Sequence, residues 1–101
     1  MTYLLGNLRD SGRIEDYETA EKLLSFTQSV FNPVNKVISL EMDAIEIYRR
    51  DIVDMLYCDS VALLPNWRKS KTASQMLKVA KWAELEIVKI PEDIVRWEDE
   101  D

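Results

Sequence analysis

The run Ser60-Val61-Ala62-Leu63-Leu64 limits the possible folds more than any other segment, because it is apolar without alternation and stops at Pro65. A strand with one wet face alternates apolar and polar residues. A run without alternation fits a strand covered on both faces, as in a parallel sheet between helices. Proline ends such a strand because it has no N–H to give to a ladder. The rest of the chain supplies matching pieces. Thr2-Tyr3-Leu4-Leu5 is a short apolar run stopped by Gly6, Ser29-Val30-Phe31 is ended by Asn32-Pro33, and Glu86-Ile87-Val88-Lys89-Ile90 is closed by Pro91.

Helical periods lie between these runs. From Ile14, the positions Tyr17, Ala20, Leu23, Leu24 and Thr27 recur at helical spacing, with Glu15, Glu18, Glu21 and Lys22 turned outward. Asp43-Ala44-Ile45-Glu46 has the acid-x-x-Glu form of a capping box. It opens a second helix over about 43–57 whose face is Ile45, Tyr48, Ile52, Met55 and Leu56. Ser70 caps a third, with Ala73, Met76, Leu77, Ala80 and Ala83 inward and Lys71, Lys78 and Lys81 in water.

Strands alternating with helices in this way predict right-handed crossovers. The expected fold is a three-layer α/β sandwich of flavodoxin-like or Rossmann-like type, with about four parallel strands in the order 2-1-3-4 and helices on both faces. With 101 residues, two Gly and three Pro, there is room for one core and few long loops. Residues 1–91 are expected to form that domain and 92–101 an acidic tail.

Several function classes are disfavoured. No apolar run approaches the roughly 20 residues of a membrane span, and the first residues lack a basic segment followed by an apolar one, so a cytoplasmic, unexported protein without membrane contact is expected. One Cys and no His leave no zinc, haem or iron–sulfur ligand set, so neither metal nor cofactor is expected and Cys58 reads as a small buried hydrophobe. The net charge of −6 is concentrated in the tail. Glu92, Asp93, Glu98, Asp99, Glu100 and Asp101 against Arg96 make −5 there and leave −1 for the first 91 residues. The tail reads either as a solubilising end or as an acidic docking segment. No nucleic-acid partner is expected.

In strand order 2-1-3-4 the chain reverses between strands one and three, and a crevice opens at their carboxyl ends. Gly6-Asn7-Leu8-Arg9 and Pro65-Asn66-Trp67-Arg68-Lys69-Ser70 line it. The second loop delivers the amides of a helix N-terminus, which attract anions. With Arg9, Arg68, Lys69 and Lys71 nearby, a phosphate is one reading of the site and a merely solvated loop is the other.

Tyr3-Leu4-Leu5-Gly6 with Arg9, Asn32-Pro33, Tyr48-x-x-Asp51, Cys58-Asp59, Leu63-Leu64-Pro65-x-Trp67 and Ser70 together resemble the nucleoside 2-deoxyribosyltransferase-like family, in particular its small, largely uncharacterised branch, over roughly residues 2–90. The resemblance implies cleavage or exchange of the N-glycosidic bond of deoxynucleosides or their 5′-monophosphates. In that family a helix glutamate attacks the anomeric carbon, and an aspartate on the preceding helix binds the sugar or manages the proton. Two carboxylates divide this work because one must stay ionised while the other handles protonation. Asp51 matches the aspartate, although a boundary carboxylate paired with a neighbouring Arg is its plain alternative. Gly6, Asn7, Arg9, Trp67 and Ser70, with Thr72 and Ser74 where the family usually has glycine, match the segments that hold sugar or phosphate.

Met76 falls on the nucleophile's position. A thioether carries no charge with which to attack or stabilise an anomeric carbon, and it fits the helix stripe as core. Glu84, Glu86 and Gln75 are not expected to reach the same point. Three readings follow. The first is a silent relative, a pseudoenzyme that still binds a nucleoside- or nucleotide-like small molecule. The second is a working glycosidase or transferase relying on Asp51 or on a carboxylate from another subunit or the tail. The third is an interaction or inhibitor module acting through Trp67, Trp82, Trp97 or the tail, although Trp82, on a packed helix, reads more simply as core. A homodimer is expected, because members of the family build their sites across a dimer contact.

Overall fold

A computed structural model describes residues 1–6, 14–35, 43–64 and 67–90. Four strands, β1 (Thr2–Leu5), β2 (Val30–Phe31), β3 (Ser60–Leu63) and β4 (Glu86–Lys89), form one sheet in the order β2-β1-β3-β4. All pairings are parallel, with Thr2 opposite Val30 and Ser60, and Ser60 opposite Glu86. Three helices, α1 (Ile14–Leu24), α2 (Ala44–Leu56) and α3 (Lys71–Trp82), connect them. This is the expected α/β fold with flavodoxin-like topology.

Two apolar clusters show why the sheet lies between layers. Tyr3 and Leu5 of β1 and Val61 and Leu63 of β3 pack with Met55 of α2 and with Ala73, Met76, Leu77 and Ala80 of α3. Leu4, Ala62 and Leu64, which point the other way, pack with Tyr17 and Ala20 of α1 and with Ile90. Alternate residues of each strand thus feed opposite layers, and both layers are apolar, which is why the β3 run shows no alternation. Each fully buried large side chain, such as Leu4, Met55 or Leu64, contributes about 1.5–3 kcal/mol.

Local signals set the ends of the elements. The Asp43–Glu46 capping box forms in both directions: Glu46 N donates to Asp43 Oδ1 at 2.9 Å, and Asp43 N donates to Glu46 Oε1 at 3.1 Å. Ser70 Oγ accepts from Ala73 N at 3.0 Å and starts α3. That helix closes with Leu85 N donating to Ala80 O and Glu84 N to Lys81 O, while Glu84 takes the left-handed φ of 64°. This is the cap that glycine usually completes. Short 3-10 turns at Pro33–Asn35 and Trp67–Lys69 stand where the sequence suggested plain loop.

The structure corrects three details of the helix reading. α1 stops at Leu24 instead of continuing to Thr27, because the amides of Thr27 and Gln28 both turn back to the Leu24 carbonyl and swing the chain toward β2. On α2, Ile45 and Leu56 are exposed, and the buried positions are Asp51 and Met55. Trp82, read as core, is 86% exposed at the end of α3, because the buried stripe of that helix passes through Ala80 and leaves position 82 on the far side.

Candidate ligand-binding crevice

At the carboxyl ends of β1 and β3, where the strand order reverses, the structure has a hollow lined by Tyr3, Leu4, Leu5, Gly6, Tyr17, Pro33, Asp51, Thr72 and Met76. This is the switch-point position at which open α/β sheets place ligands. Its volume is about 240 Å³ counted out to the mouth, and the space open to the centre of a water molecule is about 10 Å³. That room is on the scale of one water, so a larger occupant must enter from the mouth or shift a wall side chain. Met76 is the most adaptable of the aliphatic wall residues.

Separate elements bring these residues together. Gly6 ends β1, and a Cβ there would lie 2.8 Å from the Tyr17 hydroxyl and 3.1 Å from Leu64 Cβ. Glycine is therefore required for close approach between the strand end and α1. Asn32 Oδ1 accepts from Val34 N at 3.0 Å and its Nδ2 donates to Glu21 Oε1 at 3.0 Å, which anchors the turn that presents Pro33. Thr72, in the first turn of α3, donates through Oγ1 to Tyr48 Oη at 2.8 Å and ties α3 to α2 at the rim.

Asp51 is 4% exposed. The sequence placed it at the edge of an apolar stripe, whereas it sits in the middle of the buried face of α2, one helical turn before Met55. Val53 and Leu56 on the same helix face solvent. A buried carboxylate on a helix whose apolar Val53 and Leu56 are exposed departs from the usual inside–outside pattern. It is the one carboxylate among the described lining residues.

Met76 takes the place expected of it: it packs with Ala73, Leu77 and Ala80 and at the same time forms part of the crevice wall. Glu84 is exposed beyond the far end of α3, Glu86 begins β4 at the opposite end of the sheet, and Gln75 is exposed. Of the other anticipated residues, Gly6 and Thr72 line the crevice. Trp67 instead packs against the core with the Arg68 guanidinium 5.2 Å from its ring centre, and Ser70 and Ser74 are not in the lining. Asn7 and Arg9 lie outside the described residues, as do Trp97 and the tail from 92 to 101.

Tyr3, Leu4, Leu5, Tyr17 and Pro33 are the wall residues that sequence reasoning did not assign to the site. Tyr17 was legible only as a stripe position. The available signal was that a tyrosine stood there instead of an aliphatic residue, since a buried phenol brings a hydroxyl that must be satisfied.

The matched family model spans residues 2–89, from β1 through β4, and so contains the whole crevice. The chain belongs to the family described as Domain of unknown function (DUF4406). No curated protein and no solved structure matches it. In this DUF4406 domain, Cys58 is buried and its Sγ donates to Asp54 O at 3.6 Å. Burial pushes the thiol pKa up, Asp59 and Asp54 add to the rise, and the N-terminal amine opposes it. A thiol raised in this way is a poor nucleophile. Among the described residues no cluster of His, Cys, Asp and Glu could hold a metal ion, and no helix is long and apolar enough to cross a membrane.

Proposed function

We propose that this DUF4406 domain binds a nucleoside- or nucleotide-type ligand in the switch-point crevice, with N-glycosidic catalysis impaired or absent. The observation that carries the reading is the burial of Asp51 in the wall of a hollow that also takes in Gly6, Thr72 and Met76. In the nucleoside 2-deoxyribosyltransferase-like family, which the sequence resembles, those positions serve the sugar, the 5′-phosphate and the attacking carboxylate. A carboxylate in a sheltered wall is suited to accept hydrogen bonds from sugar hydroxyls. The methionine beside it cannot form a glycosyl-enzyme bond.

Thermal denaturation with a panel of deoxynucleosides, nucleoside monophosphates and cyclic nucleotides tests the reading. A binding ligand at 100 times its Kd stabilises the fold by about 2.7 kcal/mol. Absence of any concentration-dependent shift across the panel would remove the proposal. Free-base release, followed by chromatography, should stay at background for the wild-type chain and rise in Met76→Glu. If Met76→Glu binds ligand without releasing base, more than the nucleophile has been lost.

One observation favours a second reading, a protein-interaction module. Trp82 and Tyr57, at the C-terminal ends of α3 and α2, are 86% and 84% exposed. Large aromatic residues in that position are common anchors of protein contacts.

A further inference from the structure

The two helix layers that cover the sheet differ in charge. α3 carries Lys71, Lys78 and Lys81 and no acid, and all three lysines are exposed. On α2, which packs on the same face of the sheet, Arg49 and Arg50 are exposed against an exposed Glu46. α1, on the other face, carries Glu15, Asp16, Glu18 and Glu21 against Lys22. The basic layer also leaves apolar side chains in water, namely Val53 and Leu56 of α2 and Trp82 of α3. Cations beside exposed apolar side chains suit an occupant that is acidic and apolar at once.

Residues 92–101 have that chemistry. Their net charge is −5, six acids against Arg96, and Ile94, Val95 and Trp97 stand among them. The point of attachment also fits. β4 is an outer strand, and Ile90 follows it at the carboxyl end of the sheet, the end at which α3 begins on its way from β3 to β4. Ten residues extend to about 33 Å, well beyond the roughly 18 Å length of the 12-residue α3. From that outer strand a segment has a helix layer on either side, and charge favours one of them: the acids of α1 repel it and the lysines of α3 attract it. We propose that the outer face of α2 and α3 docks the acidic segment 92–101 of the same chain, through Lys71 and Lys78 for the carboxylates and through Val53, Leu56 and Trp82 for its apolar side chains. This docking is independent of any ligand in the crevice.

Paramagnetic broadening in the full chain tests it, with a thiol-reactive nitroxide attached to Asp99→Cys. Cys58 is buried and its thiol is a poor nucleophile, and the wild-type chain treated with the same reagent corrects for any label it takes up. In about 0.01 M salt the amide signals of Val53, Leu56, Lys78 and Trp82 should lose most of their intensity, and they should recover in about 1 M salt, where the Debye length is only about 3 Å. Lys71→Glu with Lys78→Glu, which turns the +3 of α3 to −1 at exposed positions, should abolish the broadening while the amide shifts of β1 and β3 stay in place. Broadening centred on Glu15 and Glu18, or on none of the described residues, overturns the proposal. So does broadening that fades when the labelled chain is diluted into an excess of unlabelled chain, because the occupant is then a second copy. Broadening unchanged by salt and by the lysine reversals overturns the role of charge in the docking.

Discussion

At the amino end of the sheet the polar groups of β1 and β3 close on one another, whereas at the carboxyl end of the same strands they surround an opening. Thr2 Oγ1 lies 2.7 Å from Ser60 Oγ and donates to Gln28 Oε1, so the single proton of each hydroxyl is committed within the fold. Asp59 N donates to Met1 O and Glu86 N to Asp59 O, which continues the closure across β1, β3 and β4. At the other end of β1, Gly6, Asp51, Thr72 and Tyr17 line a common hollow. The reversal of strand order between β1 and β3 opens a crevice at their carboxyl ends. The side chains deepen the difference: short hydroxyls paired across the strands at one end, and a glycine with a buried carboxylate at the other.

Tyr17→Ala tests that contrast with the largest expected effect. It removes a 1%-exposed ring that packs with Leu4 and Ala20 and forms a wall of the crevice, and it should lower stability by about 3–5 kcal/mol in chemical denaturation. A loss below about 0.5 kcal/mol, the range of surface substitutions, would mean that the wall is not built as described. At the closed end, Thr2→Val leaves Ser60 and Gln28 without their shared partner and should cost about 1–3 kcal/mol. Its ligand-induced thermal shift should match the wild type, because the change lies at the far end of the strands. An altered shift would join two regions that the structure separates.

The smallest effect has the opposite sign. Glu84 caps α3 at the closed end with a φ of 64°, a conformation that costs a residue with a Cβ about 1–2 kcal/mol. Glu84→Gly should therefore raise stability by about 1 kcal/mol, with the unfolded-state entropy of glycine holding the gain to that size. A loss of stability in the same denaturation assay would show that the side chain contributes more than the backbone strain removes.

The sheet was readable in the sequence because its signals are local and strong. The unalternating 60–64 run, the prolines that end strands and the capping box at 43–46 each express a physical requirement within a few residues. The position of Asp51 in the middle of the buried face of α2 was not readable. Helical spacing offered one face of Ile45, Tyr48, Ile52, Met55 and Leu56 with Asp51 at its edge, and the fold buries Asp51 and Met55 while leaving Ile45 and Leu56 outside. Trp82 failed for a related reason, since a large aromatic on a packed helix is assigned to the core by composition while its angle around the helix puts it in water. Tyr17 became part of the site only through its approach to Gly6, a contact between residues eleven apart that no spacing rule announces.

Backbone amide NMR shifts during titration with a deoxynucleoside test the central claim most directly. Binding at the open end should move the resonances of Gly6, Asp51, Thr72 and Met76 together, with those of Thr2, Asp59 and Ser60 unmoved. Shifts confined to Val53, Leu56 and Trp82, or none at saturating ligand, would contradict a ligand site at the strand carboxyl ends.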